Sequence, residues 1–256
     1  MKKANRVCFE TLPKRKEILL IVEEIRNYIH PDVFETMRGK ELSYKKKKLN
    51  KIKRLYKRYI CPNTAELFIE ELPNLEKELN QDLDFFMLSD PAIKNREEVI
   101  ISYPGYLAIT YYRIAHIIEG YDIPYVPRMI TEAAHSKTGI DINPGATIGV
   151  PFFIDHGTGI VIGETAEIGK NVKMYHGVTL GALSLKNIDS LKGKKRHPTI
   201  EDNVTLYAGA SILGGKTVIE EGATIGSNVF IVDTVVKGST VIYTQKNEGK
   251  QNNEKD

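Results

Sequence analysis

Large aliphatic or thioether side chains recur every sixth residue in the second half of the chain. They are Ile162, Ile168, Met174 and Leu180, then Ile200, Leu206, Ile212 and Val218, with a shorter run at Ile142, Ile148 and Ile154. A period of six fits neither a helix nor a single strand. It is the spacing of a parallel β-helix built from hexapeptides, in which each short strand turns a corner and every sixth side chain enters one narrow core. Small or apolar residues follow four positions later, at Ala166, Val172, Val178, Val204 and Ala210. Gly163, Gly169 and Gly226 directly follow ladder positions, where a side chain would crowd the next turn. At about eighteen residues per three-sided coil, the repeat region supplies four or five coils.

The first half carries a helical period. Ile18, Ile21, Val22, Ile25, Tyr28 and Ile29 predict a helix over 14–30, stopped by Pro31. Asn63 with Glu66 three residues on has the form of a capping box. Asp90-Pro91 has the form of an N-cap with proline in the first turn. Leu107, Tyr111, Ile114, Ile117 and Ile118 predict a helix from about Gly105 to Gly120, and Pro127 to Gly139 predicts another. The expected class is therefore α+β: a helical region over 1–138, a β-helix over 139–240, and a tail over 241–256 that is expected to be disordered because Lys246 onward contains no apolar residue.

Composition adds one asymmetry. The net charge is +3, yet residues 1–60 hold 18 Lys or Arg against 7 Asp or Glu. The run Lys45 to Lys48, continued by Lys51, Lys53, Arg54, Lys57 and Arg58, has the charge to track a phosphate backbone. It also reads as the solvated face of a helix whose buried stripe is Leu49, Ile52, Leu55, Tyr56 and Tyr59, and the apolar spacing favours that reading, so no nucleic-acid partner is expected. No apolar run is long enough to cross a membrane or form a signal peptide, so a cytoplasmic protein is expected. Cys8 and Cys61 lack metal-ligand spacing and are expected to be reduced.

The ladder breaks twice. Ile154 to Ile162 is eight residues, and the two extra fall within Asp155-His156-Gly157-Thr158-Gly159. Between Leu180 and Ile200 a polar loop is inserted that ends in Arg196-His197-Pro198. Imidazole with a carboxylate behind it activates a hydroxyl near neutral pH, and an arginine beside it can clamp a carboxylate bidentately. Asp141 and Asp155 also read as ordinary turn aspartates between coils.

Ile140-Asp141-Ile142-Asn143-Pro144-Gly145-Ala146, Asp155-His156-Gly157-Thr158-Gly159-Ile160-Val161-Ile162-Gly163-Glu164-Thr165 and Arg196-His197-Pro198 closely resemble the serine acetyltransferases. Asp90-Pro91-Ala92 and Tyr112-Arg113-Ile114-Ala115-His116 do so as well, and the resemblance spans about residues 85–236. It implies a left-handed β-helix, a homotrimer or dimer of trimers with active sites between subunits, and acetyl transfer from acetyl-CoA to L-serine. It implies His156 as general base oriented by Asp141, with Asp155 and His197 as a second acid–imidazole pair on the serine. Arg196 is then placed at the serine carboxylate and Asp90 near its amino group, with no metal. Backbone near Gly181, Ala208 and Ser227 is expected to meet acetyl-CoA, with Lys192, Lys194 and Lys195 near its phosphates. Feedback inhibition by cysteine is a further family expectation. The family commonly ends in an isoleucine that inserts into O-acetylserine sulfhydrylase. This sequence ends Asn252-Asn253-Glu254-Lys255-Asp256, which argues against a cysteine synthase complex.

Two other enzyme readings use the same scaffold. One is an acetyltransferase for a sugar or homoserine hydroxyl. The other is a metal-dependent hydratase of the γ-carbonic anhydrase type, for which His156, His176 and His197 are the available ligands.

Overall fold

The computed structural model describes Cys8 and residues 12–34, 41–183 and 193–243. Helices fill the first half: α1 (Arg15–Ile29), α2 (Pro31–Phe34), α3 (Glu41–Tyr59), α4 (Ala65–Ser89), α5 (Arg96–Ser102), α6 (Pro104–Glu119) and α7 (Val126–Thr138). The apolar stripe of α1 is buried as its period predicts. On α3 only Ile52 and Tyr56 are fully buried, and the lysines face acids: Lys48 and Lys51 meet Glu24, Lys45 meets Glu76, and Lys53 and Lys57 meet Glu66. Much of the basic run is thus neutralised within the fold.

Three capping and cysteine expectations are corrected. The Asn63–Glu66 box does not form, because Pro62–Thr64 makes a 3-10 turn running straight into α4 and lysines take the Glu66 carboxylate. Asp90 closes α4 as its C-cap, and α5 is opened instead by Asn95, whose side chain accepts from the Glu98 N–H. Cys8 and Cys61 form a disulfide spanning 53 residues, with Cα atoms 4.7 Å apart. Their distance in sequence gave no sign that Cys8 lies against the residue that follows α3 by two positions.

From Asp141 the chain winds through three parallel sheets, visiting each in turn. The first stacks β1 (Asp141–Ile142), β4 (Val161–Ile162), β7 (Thr179–Gly181), β10 (Ser211–Leu213) and β13 (Phe230–Ile231). The second stacks β2 (Thr147–Ile148), β5 (Glu167–Ile168), β8 (Thr199–Ile200) and β11 (Val218–Ile219). The third stacks β3 (Phe152–Asp155), β6 (Val172–Tyr175), β9 (Thr205–Leu206), β12 (Thr224–Ile225) and β14 (Thr240–Val241). Together they make the triangular prism of a left-handed β-helix with about five coils.

The ladder residues from Ile142 to Ile212 are buried in register, Ile142 on Ile162 and Met174 on Leu206. Val218 is not among them. Ile219 takes the inward place opposite Ile200, because the Gly214-Gly215 turn lengthens that step by one residue. The expected disordered tail lies outside the described residues beyond Tyr243, as does Ser184 to Lys192 of the inserted loop.

Helices and prism share one core. Gly105 opens α6 against the Ile154 carbonyl, where a Cβ would overlap that oxygen. Inside the helical half, His30 Nε2 lies 2.8 Å from the Tyr106 hydroxyl, which itself donates to the Leu79 carbonyl. Burial, reinforced by the charges of Arg26, Arg96 and Lys45, pulls His30 down from 6.5 to about 4. A depressed histidine contributes stability that is complete above its unfolded pKa and lost as pH falls towards its folded one. Between pH 7.5 and 5 the wild type should therefore lose about 2 kcal/mol more stability than His30→Gln. Urea unfolding at the two pH values checks this, and equal losses would remove His30 as the cause.

Candidate active site

The first break in the ladder is a two-residue bulge at one corner. Asp155 on β3 lies opposite Tyr175 on β6. The corner column then runs through Thr158, His176 and Ala208, whose carbonyls accept from Gly177, Gly209 and Asn228, each at 2.9 Å. His156 and Gly157 are extra to that column. Both are left-handed, with φ of +55° and +85°, and the Gly157 N–H donates to the Asp155 carbonyl at 2.6 Å, closing a three-residue turn around His156. A Cβ at 157 would overlap Ile140, so glycine is required there. The ladder cannot absorb these residues, so the chain pushes the imidazole outwards, leaving the side chain 72% exposed. Non-glycine residues in this backbone region are strained, and such strain concentrates at working sites.

His156 faces the His176 ring at 5.7 Å, and its Nδ1 stands 3.5 Å from Asp155 Oδ1. The Asp141–His156 pairing that the family resemblance implies is not formed. Asp141 accepts instead from Arg128, at 2.9 and 3.4 Å, and Arg128 also pairs with Glu132. Glu132, His135 and Asp141 are the one cluster with metal-ligand spacing among the described residues, and Arg128 already balances both of its carboxylates.

Asp90 enters the same corner from the helical half. Its carboxylate accepts from the Ala92 N–H at 2.8 Å and the Tyr103 hydroxyl at 3.0 Å. Burial, the Asp90 hydrogen bond and the charges of Asp90, Glu98 and Asp155 push Tyr103 up to about 12. Tyr175 is raised too, by burial and then by Asp155, Tyr207 and Asp90. Two carboxylates therefore act on one small region, giving it a negative potential suited to an ammonium group. Sequence reasoning passed over Tyr103 and Tyr175. The only available signal was their position, directly before Pro104 and beside His176.

Arg196 and His197 occupy a different corner, at the far end of β4. Arg196 pairs with Glu164. Thr165 Oγ1 accepts from the backbone N–H of Arg196 at 2.9 Å and of His197 at 3.1 Å. His197 is only 8% exposed, and burial, followed by the charge of Arg196, lowers it to about 4. Its ring covers Gly163, where a Cβ would overlap it. Of the loop lysines, Lys195 pairs with Glu167 at 3.0 Å, and Lys192 lies outside the described residues.

The positions expected to meet acetyl-CoA divide between these regions. Ala208 lies directly below His176 in the corner column, and Ser227 continues it one coil further. Gly181 pairs with Leu213 at the edge of a cavity of about 340 Å³ lined by Ala182, Leu183, Arg196, Lys216 and Thr217. One chain thus carries two separate clusters, a histidine–carboxylate corner and an arginine–histidine corner, at opposite ends of the strands of one sheet.

The fold and its two interruptions place the chain in the hexapeptide-repeat class of left-handed β-helix proteins. No protein-family model matches the chain. The plasmid serine acetyltransferase of Synechococcus elongatus is 46% identical over 184 residues, covering 71% of this chain, and the match spans 57% of that longer protein. The serine acetyltransferase of Helicobacter pylori is 42% identical over 165 residues, covering 64% of this chain and 92% of its own length. Among solved structures, serine acetyltransferase 1 of Entamoeba histolytica in complex with L-cysteine superposes with a TM-score of 0.79 at 34% identity, covering 94% of this chain and 91% of that one. The Brucella abortus serine acetyltransferase in complex with coenzyme A gives 0.65 at 25% identity, covering 90% and 80%. The chain belongs to the serine acetyltransferase family.

Proposed function

We propose that the protein transfers the acetyl group of acetyl-CoA to the hydroxyl of L-serine, giving O-acetylserine and CoA on the route to cysteine. The observation that carries this reading is the bulge that pushes His156 out beside Asp155, whose charge also reaches Tyr103 and its partner Asp90. A serine hydroxyl is a weak nucleophile and needs a base, whereas a thioester is already activated, so a single imidazole suffices. Neutral His156 takes the hydroxyl proton as the oxygen attacks the thioester carbonyl. The C–O bond forms, the C–S bond breaks, and the imidazolium returns its proton to the departing thiolate.

Asp155, 3.5 Å from Nδ1, favours the imidazolium at the moment it forms. Asp141 is the carboxylate next in line: its neighbour Ile140 packs on Gly157, and it becomes available when Arg128 releases it. Asp90 and Asp155 receive the ammonium group. Arg196 exchanges Glu164 for the substrate carboxylate, with His197 beside it. Because these groups lie at separate corners of one chain, the complete site is assembled between copies, with the His156 corner of one meeting the Arg196 corner of the next in a trimer. CoA lies along the column of Ala208 and Ser227 and reaches the cavity beside Gly181. L-cysteine, which shares the ammonium and carboxylate of serine, competes for the same groups. The location is cytoplasmic in this reading, and the Cys8–Cys61 bond is then an oxidised form uncommon in that compartment.

The test is CoA release with acetyl-CoA and a panel of L-serine, homoserine and sugar acceptors. L-serine should be preferred over the sugars by about tenfold or more, since a site built for two charged groups rejects acceptors lacking them, and over homoserine by about tenfold, since the extra methylene carries its hydroxyl away from the base. Preference for a sugar would overturn the assignment.

A further inference from the structure

We propose that Thr165 is the positioning residue for His197, holding its imidazole neutral with the proton on Nε2, so that His197 offers the acceptor substrate a hydrogen-bond donor and takes no part as a base. The inference rests on the placement of His197 at the serine carboxylate. The Thr165 backbone N–H lies 3.0 Å from His197 Nδ1. A backbone amide can only donate, so Nδ1 is the unprotonated nitrogen and the ring proton sits on Nε2. The Thr165 hydroxyl reaches the same nitrogen at 2.9 Å. Its oxygen is already the acceptor for the N–H groups of Arg196 and His197, so its single hydrogen is left to point at Nδ1.

One threonine therefore fixes the ring and both backbone amides at the point where the inserted loop rejoins the prism. Gly163 completes the arrangement from beneath, since any side chain there would displace the ring. Nε2 makes no hydrogen bond to the described residues, and it is not among their enclosed polar atoms that lack a partner, so it stays open to solvent although most of the residue is buried. A fixed donor that is open to solvent and free of protein partners is available to a ligand, and here the substrate carboxylate beside Arg196 is the matching acceptor. The role differs from that of His156, which has no such clamp and stands exposed. The two imidazoles are thereby divided into a base and a donor.

The test compares wild type, Thr165→Val and Thr165→Ser in the full chain. Thr165→Val should raise the KM for L-serine by about tenfold or more, the scale of losing one charged hydrogen bond, with the KM for acetyl-CoA unchanged. Thr165→Ser, which keeps the hydroxyl, should stay near wild type. Nitrogen-15 spectra of the unliganded wild type at pH 7 should show His197 with a bare Nδ1 and a protonated Nε2. A proton on Nδ1, or equal rises in both KM values, overturns the proposal. A wild type that shows this tautomer but releases no CoA with L-serine counts against the reaction while leaving the positioning by Thr165 intact.

Discussion

Replacing His156 with asparagine should lower kcat for L-serine-dependent CoA release by about 10²–10⁴-fold, the usual value of a positioned general base. Asparagine is the informative choice because the residue sits at φ +55°. It tolerates the left-handed region, whereas alanine there adds about 1 kcal/mol of backbone strain to the chemical loss. The residue lies outside the hydrophobic ladder and its side chain is mostly exposed, so the β-helix and the KM for acetyl-CoA should be unaffected. Steady-state kinetics with each substrate varied in turn checks this. Undiminished turnover in the asparagine variant would refute His156 as the base, and an equal loss of acetyl-CoA binding would point to a collapsed corner instead.

The second large effect lies away from the chemistry. Arg113 on α6 and Asp82 on α4 form a bidentate pair at 2.6 and 2.9 Å, both side chains buried. The pair also ties the helices to the prism. Arg113 donates to the carbonyls of Ile148 and Gly149 at 3.3 and 3.1 Å, and Asp82 accepts from the Phe152 N–H at 2.9 Å. Asp82→Ala would strand a buried guanidinium and leave the Phe152 amide without its acceptor. Such a break costs about 3–5 kcal/mol. Denaturant unfolding should show this loss, and the double variant Asp82→Leu with Arg113→Met should cost less than the sum of the single changes. Additive costs would mean that the pair is not coupled.

Local chemistry made the main architecture legible in the sequence. A six-residue period has only one economical solution, and proline and glycine at the ends of α6 and α7 act within a turn of where they stand. The two-residue excess at Asp155–His156 was likewise visible by counting, and it located the bulge. Relations between distant segments were not visible. The register after Ile212 shifted because Gly214-Gly215 adds a residue, which the periodic pattern alone could not distinguish from a continued ladder. Asp90 and Asp141 were recognisable as acids in a matching motif. Their actual partners, Tyr103 and Arg128, lie 13 residues away in each case, on other elements, and only packing brings them together. The Cys8–Cys61 bond and the clamp of Thr165 on His197 are hidden for the same reason, spanning 53 and 32 residues.

The His156–Gly157 bulge separates what the scaffold needs from what the reaction needs. One coil further on, Tyr175-His176-Gly177 rounds the same corner without the two additional residues and stays in register. The winding is therefore complete without the imidazole proposed here as the base. On that proposal, the residue that the reaction needs is carried by two residues that the spiral does not, and removing them would leave every rung in place.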